Sequence, residues 1–120
     1  MANNRDIGDK TEKLAAEYLT KKGYKVITTN FRCGMGEIDI IAKDKDYIVF
    51  IEVKYRKTDK NGLPREAVTV FKQRTIIKVA KYYLMLYNLY NSNCRFDVVE
   101  MKGNLENIEI NLLQNAFCLR

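Results

Sequence analysis

The chain has 120 residues, 47% of them hydrophobic and 30% charged, and a net charge of +6, which predicts one globular domain and permits a polyanionic partner. It contains no histidine, which excludes Ser-His and Cys-His nucleophiles and histidine-based zinc or iron sites. Three separated cysteines, Cys33, Cys94 and Cys118, form no C-x-x-C pair and indicate reduced thiols in the cytoplasm rather than a zinc ribbon or a disulfide scaffold.

The first part of the chain predicts a helix followed by a strand. We expect residues 1–6 to be disordered because they are polar and terminal. A helix over about residues 7–22 is predicted by apolar residues at spacings of three and four, namely Leu14, Ala15, Tyr18 and Leu19. Gly23 is suited to end this helix as the glycine after the C-cap. Residues 24–29 predict a strand, and residues 30–35 predict a loop.

Two apolar segments, GEIDIIA at residues 36–42 and YIVFIEVKYR at residues 47–56, predict a central β-hairpin. Both segments are apolar on both faces, which is typical of interior strands that are covered on either side. Three ionisable residues interrupt them: Asp39, Glu52 and Lys54. Burying a charge without a partner is costly, so these residues mark either a structural ion cluster or a functional site.

The second half of the chain predicts a loop, a long helix and two further strands. The polar residues 57–65 predict the loop, and a helix is expected from residue 66 to about residue 90, with Pro64 and Glu66 near its start. Its predicted apolar stripe comprises Ala67, Val70, Phe71, Ile77, Ala80, Leu84 and Tyr87. Strands are predicted at residues 95–101 and 107–113. The resulting order of elements is α-β-β-β-α-β-β.

Two kinds of segment are missing from the chain. Neither phosphate-binding glycine motif, G-x-x-x-x-G-K-[ST] or G-x-G-x-x-G, is present, which argues against a nucleotide-binding loop. The N-terminal residues include no apolar signal region, and no later run reaches membrane-spanning length. We therefore expect neither secretion nor a membrane partner.

Asp39, Glu52 and Lys54 fit a metal-dependent phosphodiesterase site. Glu52 and Lys54 lie two residues apart on one strand and share a face. If the hairpin loop spans residues 44–47, Asp39 lies opposite Glu52 with Cβ atoms roughly 4.5–5.5 Å apart, whereas a one-residue register change separates them. Two such carboxylates repel, and either Lys54 or a hard cation, Mg²⁺ or Mn²⁺, would relieve the repulsion. Such an ion and Lys54 fit the hydrolysis of a phosphodiester, a reaction that needs no histidine.

Further charged residues border this site in the sequence. Glu12, in the first turns of the opening helix, borders the packed face and is a candidate ligand or base; its alternative is to complement the helix dipole. Arg32, Arg56 and Lys72 are candidates for phosphate contact. The alternative is that they are ordinary surface charges in contact with solvent. An E-x-K pair in a strand is itself common, so a structural ion pair is the ordinary explanation of Glu52 and Lys54.

Together these residues resemble a known family. Glu12, the Gly36-Glu37-Ile38-Asp39 strand and Glu52-Val53-Lys54 match the order of the PD-(D/E)xK nuclease-like superfamily. More closely, the chain is similar to the YraN-like family of small, uncharacterised bacterial proteins. The further residues that carry this resemblance are Gly8, Ala15, Tyr18-Leu19, Gly23-Tyr24, Asn30-Phe31-Arg32, Ile40-Ile41-Ala42, Val49-Phe50-Ile51, Tyr55-Arg56, Lys72, Ala80, Leu84, Arg95-Phe96-Asp97-Val98 and Asn115-Ala116-Phe117. Thr11 and Phe31 depart from the family pattern, which often has a small residue and tryptophan there.

The resemblance implies a restriction-endonuclease-like α/β fold, a central mixed sheet of about five strands flanked by helices, close to that of archaeal Holliday-junction resolvases. It implies Asp39 and Glu52 as Mg²⁺ or Mn²⁺ ligands, Lys54 as the catalytic lysine and Glu12 as an auxiliary acid. Gln73 falls where some relatives place a further active-site side chain. The implied function is an endonuclease acting on DNA rather than RNA, branched or damaged DNA included, with a homodimer left open. The alternative is a non-catalytic nucleic-acid-binding or scaffold domain that retains the fold.

Overall fold

In a computed structural model of the chain, residues 4–57 and 68–118 are described. The elements are α1 (Asn4–Lys21), β1 (Lys25–Cys33), β2 (Gly36–Asp44), β3 (Tyr47–Arg56), α2 (Val70–Leu86), β4 (Asn93–Lys102) and β5 (Glu109–Phe117). The strands form one sheet in the order β1-β2-β3-β4-β5, in which β3 and β4 are parallel and the other pairs antiparallel. The predicted α/β fold with a mixed five-stranded sheet is confirmed. Neither described helix combines the length and the apolar composition needed to cross a membrane.

The two helices lie on opposite faces of the sheet and cover two apolar clusters. The cluster under α1 includes Ala15, Leu19, Ile40, Val49 and Val99. The cluster under α2 includes Ile41, Phe50, Ile76, Val79 and Phe96. Because both faces of β2 and β3 are covered, neither strand shows the apolar and polar alternation of a half-exposed strand.

A Schellman motif ends α1 at the predicted glycine. Gly23 has a φ of 96°, in the left-handed region that favours glycine. The N–H of Gly23 donates to the carbonyl of Thr20, and the N–H of Tyr24 donates to the carbonyl of Leu19, both at 3.0 Å. The motif turns the chain sharply from α1 into β1, so that Tyr24 is buried at the start of the sheet.

The first helix and the first strand are longer than the sequence pattern predicts. Residues 4–6, which we expected to be disordered, are helical in α1, and residues 1–3 lie outside the described residues. β1 continues to Cys33, so the loop predicted at residues 30–35 is wrong except for a short turn before β2. Pairing with β2 along this stretch keeps the chain extended.

The helix α2 is shorter than the predicted residues 66–90, and its predicted apolar stripe is only partly buried: Ala80 and Leu84 are in the core, and Ile77 packs against it. It begins after the N-cap Thr69, whose hydroxyl accepts a hydrogen bond from Lys72 N at 3.1 Å. Pro64 and Glu66, assigned to the helix start, lie outside the described residues. The buried residues are Ile76, Val79, Ala80, Tyr83 and Leu84, whereas the predicted core residues Val70, Phe71 and Tyr87 are exposed. The side of the helix that is buried depends on where the sheet lies, and the spacing of apolar residues in the sequence does not show this.

A buried polar network ties β4 to β5 and to the end of α1. Asp97 is fully buried, and its carboxylate accepts hydrogen bonds from Tyr24 Oη at 2.7 Å, Arg95 Nε at 3.0 Å and Asn115 N at 2.9 Å. Asn115 has a φ of 53° and lies where the register of β4 and β5 shifts. Arg95 also pairs with Asp44 of β2 at 2.8 Å. The network anchors the irregular part of β5, which therefore continues past the predicted end at residue 113.

Replacing Asp97 by alanine is expected to destabilise the protein by about 3–5 kcal/mol, because it leaves a partly buried Arg95 without its main counter-charge and Asn115 N–H without an acceptor. Urea denaturation measures this loss. The control Tyr24→Phe keeps the ion pair and removes one hydroxyl, so it should cost about 1–2 kcal/mol. An equal loss in the two variants would contradict the central position of Asp97 in the network.

Candidate active site

The β2–β3 hairpin places Asp39 next to Glu52. Asp44 pairs with Tyr47 across a two-residue loop, and the register continues to the pair of Ile40 and Ile51. Asp39 and Glu52 are the next residues on their strands. The register predicted for a loop of this length is therefore confirmed as far as Ile40 and Ile51. Just beyond this pair, the carboxyl groups of Asp39 and Glu52 lie close enough to share a hydrogen bond.

The Asp39 side chain connects the two strands where their backbone ladder ends. Asp39 Oδ2 accepts a hydrogen bond from Val53 N at 2.8 Å. The alternation of β2 is broken at the same point, because Ile38 and Ile41 both pack in the cluster under α2, whereas Ile40 packs under α1. The carboxylate is thus held between the two faces of the sheet by a backbone donor.

Glu52 faces α2 across an open groove. Its side chain is 12% exposed, and its Oε2 lies 3.6 Å from Lys72 Nζ. The groove has a volume of about 490 Å³ and is lined by Glu52, Val53, Lys54, Tyr55, Arg56, Val68, Thr69 and Lys72. We term it the lysine groove, since it brings a lysine from β3 and another from α2 to the same carboxylate-bearing surface.

Glu12 lies in a second cavity, which also includes Asp39. The Nδ2 of Asn30 donates a hydrogen bond to Glu12 Oε1, and Asn30 has a φ of 54°, a conformation that asparagine tolerates. The cavity has a volume of about 270 Å³ and is lined by Arg5, Gly8, Asp9, Thr11, Glu12, Asn30, Arg32, Glu37, Asp39 and Val53. We term it the acidic pocket. Val53, whose N–H binds Asp39, borders both cavities.

Asp39 raises the pKa of a carboxyl group in each cavity. Burial, a side-chain hydrogen bond with Asp39 and the charge of Asp39 raise the pKa of Glu52 to about 8, against the attraction of the Lys72 ammonium. Burial and the charge of Asp39, followed by two weaker carboxylate neighbours, raise the pKa of Glu12 to about 7. Ionisation of either group is opposed by its surroundings, and an added cation would favour it.

The other predicted residues lie around these cavities. Arg32 Nε pairs with Glu37 Oε2 at 2.8 Å on the edge of the acidic pocket. Arg56 lines the lysine groove. Gln73 Nε2 donates to a backbone carbonyl just before α2 at 2.8 Å, and Gln73 lines a smaller cavity of about 110 Å³ with Lys54. The predicted set is therefore grouped at one end of the β2–β3 hairpin, divided between its two sides.

The structure adds two contributions that the sequence did not predict. Lys72, expected to contact phosphate, is the cation paired with Glu52, a position we had considered for Lys54. Glu100 stands beside Lys54 in the parallel register of β3 and β4 and lines two cavities with it. Glu100 could have been found, because it is a carboxylate within an apolar strand, as Glu52 is. The pairing of Lys72 with Glu52 depends on tertiary packing, and no pattern in the sequence indicates it.

Comparison with known proteins gives a consistent result along the chain. The sequence model of the uncharacterised protein family UPF0102 matches residues 11–101. A UPF0102 protein of Caldicellulosiruptor saccharolyticus is 47% identical over 117 residues, which cover 96% of this chain and 99% of that protein. The corresponding protein of Clostridium acetobutylicum is 49% identical over 116 residues, 95% of each chain. That of Syntrophus aciditrophicus is 46% identical over 117 residues, 98% of this chain and 92% of its own.

The raised pKa of Glu52 predicts that the free energy of unfolding falls as pH rises. Its unfolded carboxyl ionises near pH 4.5 and its folded carboxyl near pH 8, so between these values only the folded state keeps the proton. This stabilising contribution is complete below about pH 4.5 and lost by about pH 8. Glu52→Gln cannot ionise and should exceed the wild type in stability by on the order of 2 kcal/mol above pH 8, with little difference in acid.

Urea denaturation at a series of pH values in metal-free buffer measures this dependence. Asp46→Asn, which removes an exposed carboxylate from the loop of the same hairpin, is the matched control and should follow the wild type. Glu12 contributes a slope of the same sign up to about pH 7, which both variants retain. A Glu52→Gln profile parallel to that of the wild type would show that Glu52 ionises normally in the folded protein.

Proposed function

We propose that the chain, which belongs to the uncharacterised protein family UPF0102, is a cytoplasmic, metal-dependent endonuclease that hydrolyses phosphodiester bonds in DNA. Membership in this family confirms the YraN-like resemblance. The place of the family in the PD-(D/E)xK superfamily stays a prediction, with which the observed α/β fold is consistent. The observation that carries the proposal is the carboxyl pair of Asp39 and Glu52 beside Lys54 and Lys72.

The donor atoms of this carboxyl pair suit a hard divalent cation. Mg²⁺ is commonly bound through one or two carboxylates, and waters and substrate phosphate oxygens complete its coordination. Asp39 is oriented for this role by Val53 N–H, and Glu52 is the carboxyl group next to it. Within residues 4–57 and 68–118, no three carboxylate or cysteine side chains are grouped as a metal cluster. Asp39 and Glu52 would hold Mg²⁺ or Mn²⁺, which supplies Lewis acidity at a phosphate oxygen.

The electrostatics of the pair also support a bound cation. Burial and then Asp39 oppose ionisation of Glu52, and Lys72 offsets the two together only in part, since the pKa of Glu52 remains at about 8. A divalent charge next to both carboxylates would reverse the sign of this effect and favour the ionised form. Lys72, whose side chain is 44% exposed, would then be available to contact a phosphate.

Lys54 is placed to act at the reacting phosphate. It lies two residues from Glu52 on the same face of β3 and lines the lysine groove. Its ammonium group would orient or deprotonate the attacking water, or stabilise the negative charge that develops on the phosphate. Glu12, on the other side of Asp39 and with a pKa of about 7, would serve as an auxiliary acid or base.

The substrate part of the proposal depends on charge and on the resemblance. The chain carries a net charge of +6. Arg56 and Lys72 line the lysine groove, and Arg32 borders the acidic pocket. Such residues bind phosphate oxygens, so DNA binding should weaken steeply as salt increases. The choice of DNA, including branched or damaged DNA, follows from the PD-(D/E)xK resemblance alone.

A non-catalytic nucleic-acid-binding or scaffold domain is the second candidate. The ion pair of Glu52 and Lys72 favours it, because each partner partly balances the charge of the other without a metal. In that case the charges form a structural cluster, and replacing Glu52 and Lys72 together by apolar residues would leave stability unchanged or higher.

Purified protein is expected to cut or nick DNA with Mg²⁺ or Mn²⁺ present. Asp39→Asn removes a ligand and Lys54→Met removes a charge at the reacting phosphate, so each should lower the single-turnover rate by about 100-fold or more. Asp46→Asn and Lys45→Met are matched controls in the exposed loop of the same hairpin and should keep the wild-type rate. Gel assays on labelled linear and branched DNA measure cleavage. Activity that survives in both site variants would rule out this site.

Metal binding is measurable apart from cleavage. Mn²⁺ should raise the midpoint of thermal unfolding of the wild-type protein, because a ligand that binds only the folded state stabilises it. Asp39→Asn should weaken Mn²⁺ binding by about tenfold or more, measured by calorimetry, because it removes a charged oxygen ligand. Asp46→Asn should bind as the wild type does. Equal Mn²⁺ affinity in all three proteins would place any bound ion elsewhere.

A further inference from the structure

Phe71 projects into solvent beside the lysine groove. Its side chain is 81% exposed, and it lies in the first turn of α2 between the N-cap Thr69 and Lys72. Single exposed apolar side chains are ordinary on protein surfaces. The exposure of Phe71 indicates a binding role only in combination with the cations that follow it in α2 and with its position between two residues that line the groove.

The exposed side of α2 that begins at Phe71 carries three cations before it reaches the exposed Met85. Arg74, Lys78 and Lys81 follow at spacings of three, four and three residues and are all exposed, so they lie along one side of the helix. From Val70 to Leu86, α2 contains no acidic residue. With a rise of about 1.5 Å per residue, the three cations extend over roughly 10 Å, a length over which a nucleic-acid strand presents several phosphates. The face is complementary to a polyanionic strand.

The same turn of α2 forms one wall of the lysine groove. Thr69 and Lys72, on either side of Phe71 in the chain, line the groove opposite Glu52 and Lys54. Lys72 is anchored there by its ion pair with Glu52. A strand that continued from the three cations around the first turn of α2 into the groove would pass Phe71.

We propose that Phe71 stacks on an unpaired base of the DNA strand whose phosphate enters the lysine groove, and that it makes the protein selective for DNA with bases outside a duplex next to the cut. The inference rests on the proposed function, since it takes the groove as the place of cleavage. An aromatic ring binds the face of any base, so Phe71 recognises the absence of base stacking and not a sequence.

Duplex structure explains why this contact selects a substrate class. Inside a regular duplex both faces of each base are covered by its neighbours, so a phenylalanine ring has no free face to contact. A gap, an end, a bulge or a branch point exposes such a face. Stacking of an aromatic side chain on one base changes affinity by about 5- to 150-fold when the side chain is replaced by alanine.

Fluorescence anisotropy tests the inference in metal-free buffer, where binding is separated from hydrolysis. The probes are a labelled blunt duplex and the same duplex with a central single-stranded gap. The wild-type chain should bind the gapped probe more tightly. Phe71→Ala should weaken binding of the gapped probe by about tenfold and binding of the blunt duplex by less than about twofold. Phe71→Trp should restore the preference, because tryptophan also stacks.

Tyr90→Ala is the matched control, since it removes an exposed aromatic residue that follows the other end of α2. It should bind both probes as the wild type does. A 2-aminopurine base in the gap adds a direct readout, because stacking on Phe71 quenches its fluorescence in the wild type and not in Phe71→Ala. Equal affinity of wild type and Phe71→Ala for the gapped probe, with unchanged quenching, would overturn the inference.

The result can be told apart from a failure of the proposed function. If Phe71→Ala matches the wild type on the gapped probe while Asp39→Asn abolishes cleavage, the groove is the active site and the stacking contact is wrong. If Phe71→Ala loses the gapped probe selectively while no protein cleaves DNA, the stacking contact is right and the chain is a binding module.

Discussion

The hydrogen bond from Val53 N–H to the Asp39 carboxylate determines where the central hairpin stops being a regular sheet. Up to the pair of Ile40 and Ile51, β2 and β3 are joined by backbone hydrogen bonds. Beyond it, a side chain makes the connection and fixes a negative charge between the two faces of the sheet. Burial is the largest cause of the raised pKa of Glu52 on the side of α2 and of Glu12 on the side of α1, and the charge of Asp39 raises both further. One local interaction thus holds a charge that acts on the carboxyl groups of both cavities.

Asp97 is a second buried carboxylate of the same sheet, and its surroundings stabilise its charge. It is fully buried, and it accepts hydrogen bonds from a tyrosine, an arginine and a backbone N–H. Glu52, by contrast, faces another carboxyl group and lies 3.6 Å from the half-exposed ammonium of Lys72. Apolar residues at the positions of Asp39 and Glu52 would remove this repulsion. The unfavourable arrangement is the physical reason to assign a function to this end of the hairpin.

Local chemistry predicted the parts of the structure that depend on neighbours in the chain. The glycine that ends α1, the interior position of β2 and β3 and the register that puts Asp39 beside Glu52 all follow from periodicity and turn length. Tertiary packing determined the rest. Phe71 fits an apolar stripe in the sequence, yet the sheet lies on the other side of its helix. The pairing of Lys72 with Glu52 depends equally on how α2 is placed, which no local pattern encodes.

The helix α2 also approaches β2 closely at the glycine that opens this strand. Gly36 has a φ of 149°, and a Cβ atom there would lie 2.7 Å from Thr75 Cγ2 of α2. Any larger residue would push the helix away from β2 or strain the strand. Thr75 follows Lys72 by three residues in α2, and the ammonium group of Lys72 lies 3.6 Å from Glu52. The glycine and the aspartate of the Gly36-Glu37-Ile38-Asp39 segment therefore have different structural roles: Gly36 leaves room for α2 beside β2, and Asp39 places a carboxylate next to Val53 and Glu52.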